Sequence, residues 1–338
     1  MKRLVFAALA IAALASCTKS NVQLEQPGEI TLQPVAQKAT KAAVDGTYYP
    51  TDADYNFNVW AWWGNYEAGT ALSSFSVTTP YIEGGKFIAK NNVSWGGETP
   101  YYWPTKGSLV FAGYSPASAA GTATFSYNTD DKSFKVLNYI QSNDISVTKD
   151  LMWFDVTDES YDNNGTAGVP VTFKHALSWL TFKFVLNSAI TNHTWKITNV
   201  KLMSVNTKGS FVATKSADVA NAGTWTLSGE SFDKKEMIVY NSASHTVSTT
   251  ATTLENTKNG VVVIPQPCVE LFVEYTLTAS TGENISQEVT LDLATGIDSG
   301  EWLPGKHYVY TIIFGANEIL IAPTVADWVD EPVNIPVQ

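Results

Sequence analysis

Catalysis and metal binding need particular side chains at particular spacings, and this 338-residue chain holds few such arrangements. Its four histidines, His175, His193, His245 and His307, are scattered. None falls in a His-Glu-x-x-His run, and no cysteine pair stands at zinc-ligand spacing. Nucleophile elbows, phosphate-binding loops and dinucleotide fingerprints are absent from the sequence. Five acids, Asp150, Asp155, Asp158, Glu159 and Asp162, crowd one stretch. Carboxylate oxygens are what calcium takes, but the ordered Asp-x-Asp-x-Asp-Gly spacing is missing, so a solvated loop without metal is expected. Two of these acids could flank a glycosidic bond, yet acid pairs are common in any acidic chain. His175, beside Phe173, Ala176 and Leu177, is expected to be a packed, hydrogen-bonded histidine rather than a catalytic base. The expectation is no enzyme, no cofactor and no metal.

Eleven tryptophans form a second chemical feature. Trp60, Trp62, Trp63, Trp95 and Trp103 lie close in sequence. Exposed indoles could stack on sugar rings, whereas buried ones would fill a core, each removing a large apolar area from water. In Val59-Trp60-Ala61-Trp62-Trp63, Trp60 and Trp62 share one face of a strand, which favours the core.

Cys17 has the most chemical setting of any residue. A basic start, Lys2 and Arg3, and about a dozen apolar residues lead into Leu14-Ala15-Ser16-Cys17. This run resembles the lipobox of bacterial lipoproteins. The resemblance implies that residues 1–16 are a signal peptide and that the acylated Cys17 becomes the N-terminus, tethered to outer-membrane lipid. The apolar run is shorter than the ~20 residues of a membrane-spanning helix. Cys268 would then lack an intramolecular partner, so no disulfide framework is expected. Its apolar setting suggests a buried structural thiol.

The formal net charge is -11, and losing Lys2 and Arg3 makes the mature chain more negative. An acidic chain without a basic stretch argues against a nucleic-acid partner. Arg3 is the only arginine, so the mature chain has no guanidinium for bidentate anion binding.

Short runs rich in Val, Ile, Thr and aromatics must position these groups. They span 56–63, 108–114, 151–156, 177–186, 195–204, 260–264, 269–278, 287–293 and 307–314, separated by Gly, Asn, Asp, Pro or Ser clusters. Alternation gives apolar faces of Leu180, Phe182, Phe184 and Leu186, and of Leu271, Val273, Tyr275 and Leu277. Residues 174–179 are the best candidate for a turn of helix. Strands at this spacing without intervening helices predict an all-β chain of antiparallel β-sandwiches. The polar loop 158–168 is the candidate boundary. The expected division is a lipidated segment 17–41, an N-terminal sandwich 42–167 and a C-terminal sandwich 168–338. Within the first segment, Ile30, Leu32 and Val35 mark a short strand whose Pro34 cannot donate to a ladder, which predicts an edge or peripheral position.

Several phrases recur in one order. They are Tyr101-Tyr102-Trp103-Pro104, Leu109-Val110-Phe111-Ala112-Gly113-Tyr114-Ser115-Pro116 and Asp150-Leu151-Met152-Trp153. Phe173-Lys174-His175-Ala176-Leu177-Ser178-Trp179-Leu180, Val263-Ile264-Pro265-Gln266 and Trp302-Leu303-Pro304-Gly305-Lys306-His307-Tyr308-Val309-Tyr310 follow, with Trp328 near the end. Together, after a lipobox, they resemble the fimbrillin family of Bacteroidetes, of the FimA/Mfa-like type. The resemblance implies two tandem transthyretin-like sandwich domains with short helical turns, in a surface pilus subunit exported as a lipoprotein. It implies removal of an N-terminal strand, here the one bearing Ile30, Leu32 and Val35, and refilling of its groove by a strand of another pilin subunit. Lys38 and Lys41 lie where the cut is expected; the family's arginine is missing there. The alternating tail with Val333, Ile335 and Val337 is a candidate donor strand. A host protein or glycan is a further possible ligand. The alternative reading is a non-polymerising surface lipoprotein that binds glycans through exposed tryptophans.

Overall fold

The structure, a computed structural model, describes residues 28–36, 49, 51, 53–64, 80–120, 123–128, 133–165, 167–187, 193–214, 223–229, 234–254, 260–315 and 319–327. Its strands begin with β1 (Thr31–Ala36), β2 (Phe57–Gly64), β3 (Ile82–Ala89), β4 (Trp95–Gly97), β5 (Ser108–Ser115), β6 (Thr124–Asn128) and β7 (Ser133–Ile140). Then come β8 (Met152–Glu159), β9 (Val169–His175), β10 (Ser178–Leu186), β11 (His193–Asn206), β12 (Lys208–Thr214), β13 (Thr224–Leu227) and β14 (Lys234–Val247). The last are β15 (Thr252–Thr253), β16 (Val261–Val263), β17 (Glu270–Ala279), β18 (Asn284–Asp292), β19 (Lys306–Phe314) and β20 (Ile319–Asp327). Helix among the described residues is limited to Tyr161–Asn164 and two 3-10 turns, Ala53–Tyr55 and Ala117–Ala120. The all-β expectation is met.

Strands β1-β4-β3-β2-β5-β8-β9 close into a barrel, and β13-β12-β7-β6, drawn from both halves of the chain, form a separate four-stranded sheet. Alternation explains the packing. Along β2, Phe57, Val59 and Ala61 join the core that also holds Ile30, Leu32 and Phe173. Trp62, of opposite parity, joins a second core with Tyr127, Phe134, Val136 and Phe211 from the four-stranded sheet. Strand β5 is buried on both faces at all eight positions, which is why its sequence reads as a continuous apolar run.

The second half is a sandwich. One sheet runs β15-β10-β19-β20, with β16 also on β10; the other runs β14-β11-β17-β18. The expected faces meet here. Leu180, Phe182, Phe184 and Leu186 are buried in the same core as Leu271 and Val273, with Tyr275 and Leu277 partly buried against it.

Three features depart from the sequence expectation. The pairing is not purely antiparallel: β1 runs parallel to β9, and β10 parallel to β19. Residues 174–179 are no helix but the passage from β9 to β10. Phe173, Ala176, Leu177 and Leu180 have a helix-like spacing, yet they enter three different cores: Phe173 the barrel, Ala176 and Leu177 the middle layer, Leu180 the sandwich. Hydrogen bonding also crosses the expected division after residue 167. Strand β9 pairs within the barrel with β1 and β8, and β12 pairs with β7.

Candidate functional site: the strand slot of the barrel

Strand β1 fills a gap between two segments distant in sequence. On one side Thr31 and Leu32 pair antiparallel with Gly96 and Trp95; on the other, residues 32–36 pair parallel with residues 169–173. Ahead of the strand, Ile30 donates its N–H to Tyr101 O at 2.8 Å and Trp103 N–H donates to Gly28 O at 3.1 Å. Even-numbered residues therefore turn their backbone groups to the β4 side, and odd-numbered ones face β9.

That parity explains Pro34. Its missing N–H faces the β4 side, where pairing has already ended at Leu32, so no ladder bond is forfeited. The expected edge position is thus corrected: β1 has a neighbour on each side, and the proline occupies the stretch with only one. Inward-facing positions are Ile30 and Leu32, both 0% exposed, and Pro34, also buried. Pro34, not Val35, shares their parity. The backbone of Val35 pairs with Thr172; its side chain lies outside the described residues.

The core beneath is aromatic. Tyr49 stacks on Phe173 at 4.9 Å and meets Trp95 edge-on at 5.6 Å. Burial raises the Tyr49 phenol well above its ordinary pKa, and the charge of Asp150 adds to this. The outer face of β1 is closely fitted as well. A Cβ on Gly96 would lie 2.8 Å from Glu29 Oε1, and one on Gly168, at φ +86°, would lie 2.9 Å from Thr31 Oγ1. Gln33 donates its side-chain amide to Ala167 O. Lys90 Nζ sits 3.6 Å from Glu29 Oε1 and donates to Gly97 O at 3.0 Å.

Among the other sequence candidates, His175 is packed against Asp150. His175 Nδ1 and Asp150 Oδ2 lie 2.6 Å apart, with side chains only 1% and 4% exposed. This pair ties the end of β9 to the loop before β8 and is closed to substrate. No group of three or more metal-ligating side chains occurs among the described residues. The side chains of Asp155 and Asp158 lie outside them. Cys268 is half-buried, and burial, partly offset by the Tyr310 hydroxyl, pushes its thiol up to about 11, which suppresses thiolate chemistry. His307 stacks on Trp179 with ring centroids 3.5 Å apart, and its Nε2 is 2.9 Å from Thr181 Oγ1. Burial, with a smaller contribution from Lys183, lowers its pKa to about 4.

The tryptophans serve mainly as core. Trp62, Trp95, Trp103, Trp153, Trp179, Trp195 and Trp302 are buried, Trp60 and Trp225 partly so, and Trp63 is 38% exposed. Cys17, Lys38, Lys41, Val333, Ile335 and Val337 lie outside the described residues, as does Trp328.

Sequence reasoning missed two buried amides at the junction of the halves. Gln141 Nε2 donates to Val262 O at 2.6 Å, and its Oε1 accepts from Ile264 N–H at 2.8 Å. Gln266 likewise accepts from Asn206 N–H and donates to Asn206 O. The Val263-Ile264-Pro265-Gln266 phrase was the available signal.

The Fimbrillin-like family profile matches residues 29–328. The chain belongs to the Fimbrillin-like family. The match starts at Glu29, immediately before the slot strand, and runs through both halves. No curated protein matches the chain in sequence. Among solved structures, a fimbrial protein from Bacteroides vulgatus is similar at 16% identity and TM-score 0.57, covering 88% of this chain and 99% of that one. A candidate cell adhesion protein from Bacteroides uniformis is similar at 15% identity and TM-score 0.51, covering 89% and 99%. At these identities the likeness shows the fold.

In this fimbrillin-like chain the recognition phrases are joints. Trp302 Nε1 donates to the Tyr310 hydroxyl at 2.7 Å, which donates onward to Leu293 O at 3.1 Å. Leu303 N–H donates to the Tyr308 hydroxyl, and Gly305 N–H to Leu177 O. The Trp302–Tyr310 phrase thus locks the turn into β19 against the start of β10.

Proposed function

We propose that this chain is a structural subunit of a cell-surface fimbria, exported as a lipoprotein and assembled by strand exchange. The observation that carries the proposal is β1. It completes a closed barrel from outside the local hairpins, so its loss leaves β4 and β9 with unpaired edges and an apolar trench where Ile30 and Leu32 lay. Such a trench is a template for an added strand. In this reading Cys17 tethers the precursor to outer-membrane lipid, cleavage at Lys38 or Lys41 frees β1 together with the lipid, and another pilin subunit refills the slot. Adhesion follows from the assembled fibre.

The tail with Val333, Ile335 and Val337 suits the slot in one register. Placed on Ile30, Leu32 and Pro34, these three residues supply apolar side chains inward. Pro336 then takes the position of Gln33, whose N–H faces β9, forfeiting a ladder bond of about 1 kcal/mol. Placing Pro336 on Pro34 keeps that bond but seats Asn334 where Leu32 is buried. An unpaired buried amide costs about 1–3 kcal/mol, and Leu32's burial is lost besides, so the first register wins.

The test is limited digestion of the purified precursor with a lysine-directed protease, followed by N-terminal sequencing and electron microscopy. The expected result is a cut at Lys38 or Lys41 and then polymers, suppressed by excess peptide spanning residues 28–36. Protein that is cleanly cut there, releases β1 and stays monomeric overturns the proposal.

A further inference from the structure

The three most exposed aromatic side chains among the described residues are Trp63, Tyr81 and Tyr102, at 38%, 41% and 49%. They share one end of the barrel. Tyr81 follows the β2 ladder, donating its N–H to Ala61 O at 2.6 Å. Its hydroxyl donates to Tyr102 O at 2.7 Å. Trp63 closes the group by donating its indole N–H to Lys106 O at 2.7 Å. The polar atoms of Trp63 and Tyr81 are thus fixed to backbone while parts of their rings stay uncovered. Elsewhere the exposed large apolar side chains are aliphatic, such as Leu137, Ile238 and Leu320.

The same end is where the chain enters. Glu29 bridges to Tyr102, and Gly28 accepts the hydrogen bond of Trp103. Gly28 is eleven residues on from Cys17, so at full stretch the acyl-bearing residue lies within about 40 Å of this barrel end. Tryptophan and tyrosine favour the boundary between water and lipid, because one part of each ring system is apolar and the other polar. Exposed Lys106 and Glu83 flank the group with opposite charges, so ring burial rather than net charge would provide the attachment.

We propose that this end of the barrel is a membrane-docking surface, with Trp63, Tyr81 and Tyr102 seated in the lipid headgroup layer while the acylated precursor is anchored. The inference rests on the acylation of Cys17 assumed above. Docking points β1 away from the membrane. From Gly28 to Ala36 the chain rises about 25 Å at strand spacing, so the backbone two residues before Lys38 stands clear of the lipid. The tether and the cut would thus be served from opposite ends of one strand.

The test compares hydrogen exchange of the acylated chain, reconstituted on phosphatidylcholine vesicles, with that of the unacylated Cys17→Ser chain mixed with the same vesicles. Peptides covering residues 61–64, 80–82 and 100–107 are expected to exchange severalfold more slowly on the vesicles, with β17 and β18 unchanged. Brominated lipid should also quench the emission that distinguishes the acylated wild type from its Trp63→Phe variant. Unchanged exchange in these peptides, with the acyl group seen by mass spectrometry and the protein floating with vesicles, overturns the docking while leaving acylation intact. A mature chain without an acyl group overturns both. Equal protection by a soluble polysaccharide in the absence of lipid also overturns it, in favour of sugar stacking.

Discussion

The barrel and the sandwich are built from the same kinds of strand but are held together differently. In the sandwich, hairpin neighbours share long ladders, β17 with β18 and β19 with β20 along nine residues each, and non-local ladders are as long, β10 with β19 along eight and β11 with β17 along nine. In the barrel, β1 meets β4 and β9 across long stretches of chain, and its antiparallel ladder to β4 holds only two residue pairs. A strand joined to its neighbours by short turns is returned to its place after each opening. One held by non-local pairing and side-chain burial alone leaves an intact gap when its connection is cut. The short ladder of β1 to β4 is the feature that the proposed exchange would use.

The strongest way to break this contrast is to delete residues 28–36. The barrel strands should lose hydrogen-exchange protection and the protein should self-associate, while β17, β18 and β19 keep their protection. Uniform loss across both halves would show that they are one cooperative unit. Next, Asp150→Ala removes the partner of a buried histidine near the junction. Leaving a buried polar group without its hydrogen-bond partner typically costs about 1–3 kcal/mol, read as a lower denaturant midpoint.

A finer comparison pairs Leu32→Ala with Leu271→Ala. Both side chains are fully buried, so each should cost about 2–5 kcal/mol. Only Leu32→Ala should speed the release of β1 after cleavage, followed by the rate at which a labelled 28–36 peptide exchanges in. Acid should then separate the halves. His307 in the sandwich has its pKa held near 4, against about 6.5 when free. As pH falls below 6.5 the unfolded chain takes up this proton before the folded one does. Its contribution to stability is therefore full above pH 6.5 and is lost as pH falls to about 4. His307→Gln should remove that part of the pH slope, measured by thermal unfolding. The smallest effect is Lys90→Ala. Its ion pair with Glu29 is about one-third exposed, so the loss should be about 0.5 kcal/mol, visible mainly as weaker retention of β1 at low salt.

Local pattern made much of this molecule legible. The Leu180–Leu186 face is buried as alternation predicts, and nine of the strand runs stand within a few residues of their expected places. Tryptophans at one-face spacing proved to be core. Residues 174–179 misled because four apolar residues at helical spacing served three separate cores. Pro34 misled in another way: a missing N–H reads as an edge, unless the neighbouring strand has already ended. His175 was expected to be packed, but its partner Asp150 stood in an acidic stretch that suggested solvent.

Side-chain period, composition and the order of the family phrases are properties of the chain itself. They were enough to determine an all-β protein, its main strands, an aromatic core and a fimbrillin-like family. Which strands meet is decided by contacts far apart in sequence, where register depends on how whole faces bury together. Only the tertiary structure could therefore decide that β1 lies parallel to β9, that Pro34 sits where the β4 ladder has already ended, and that β1 closes the barrel between β4 and β9.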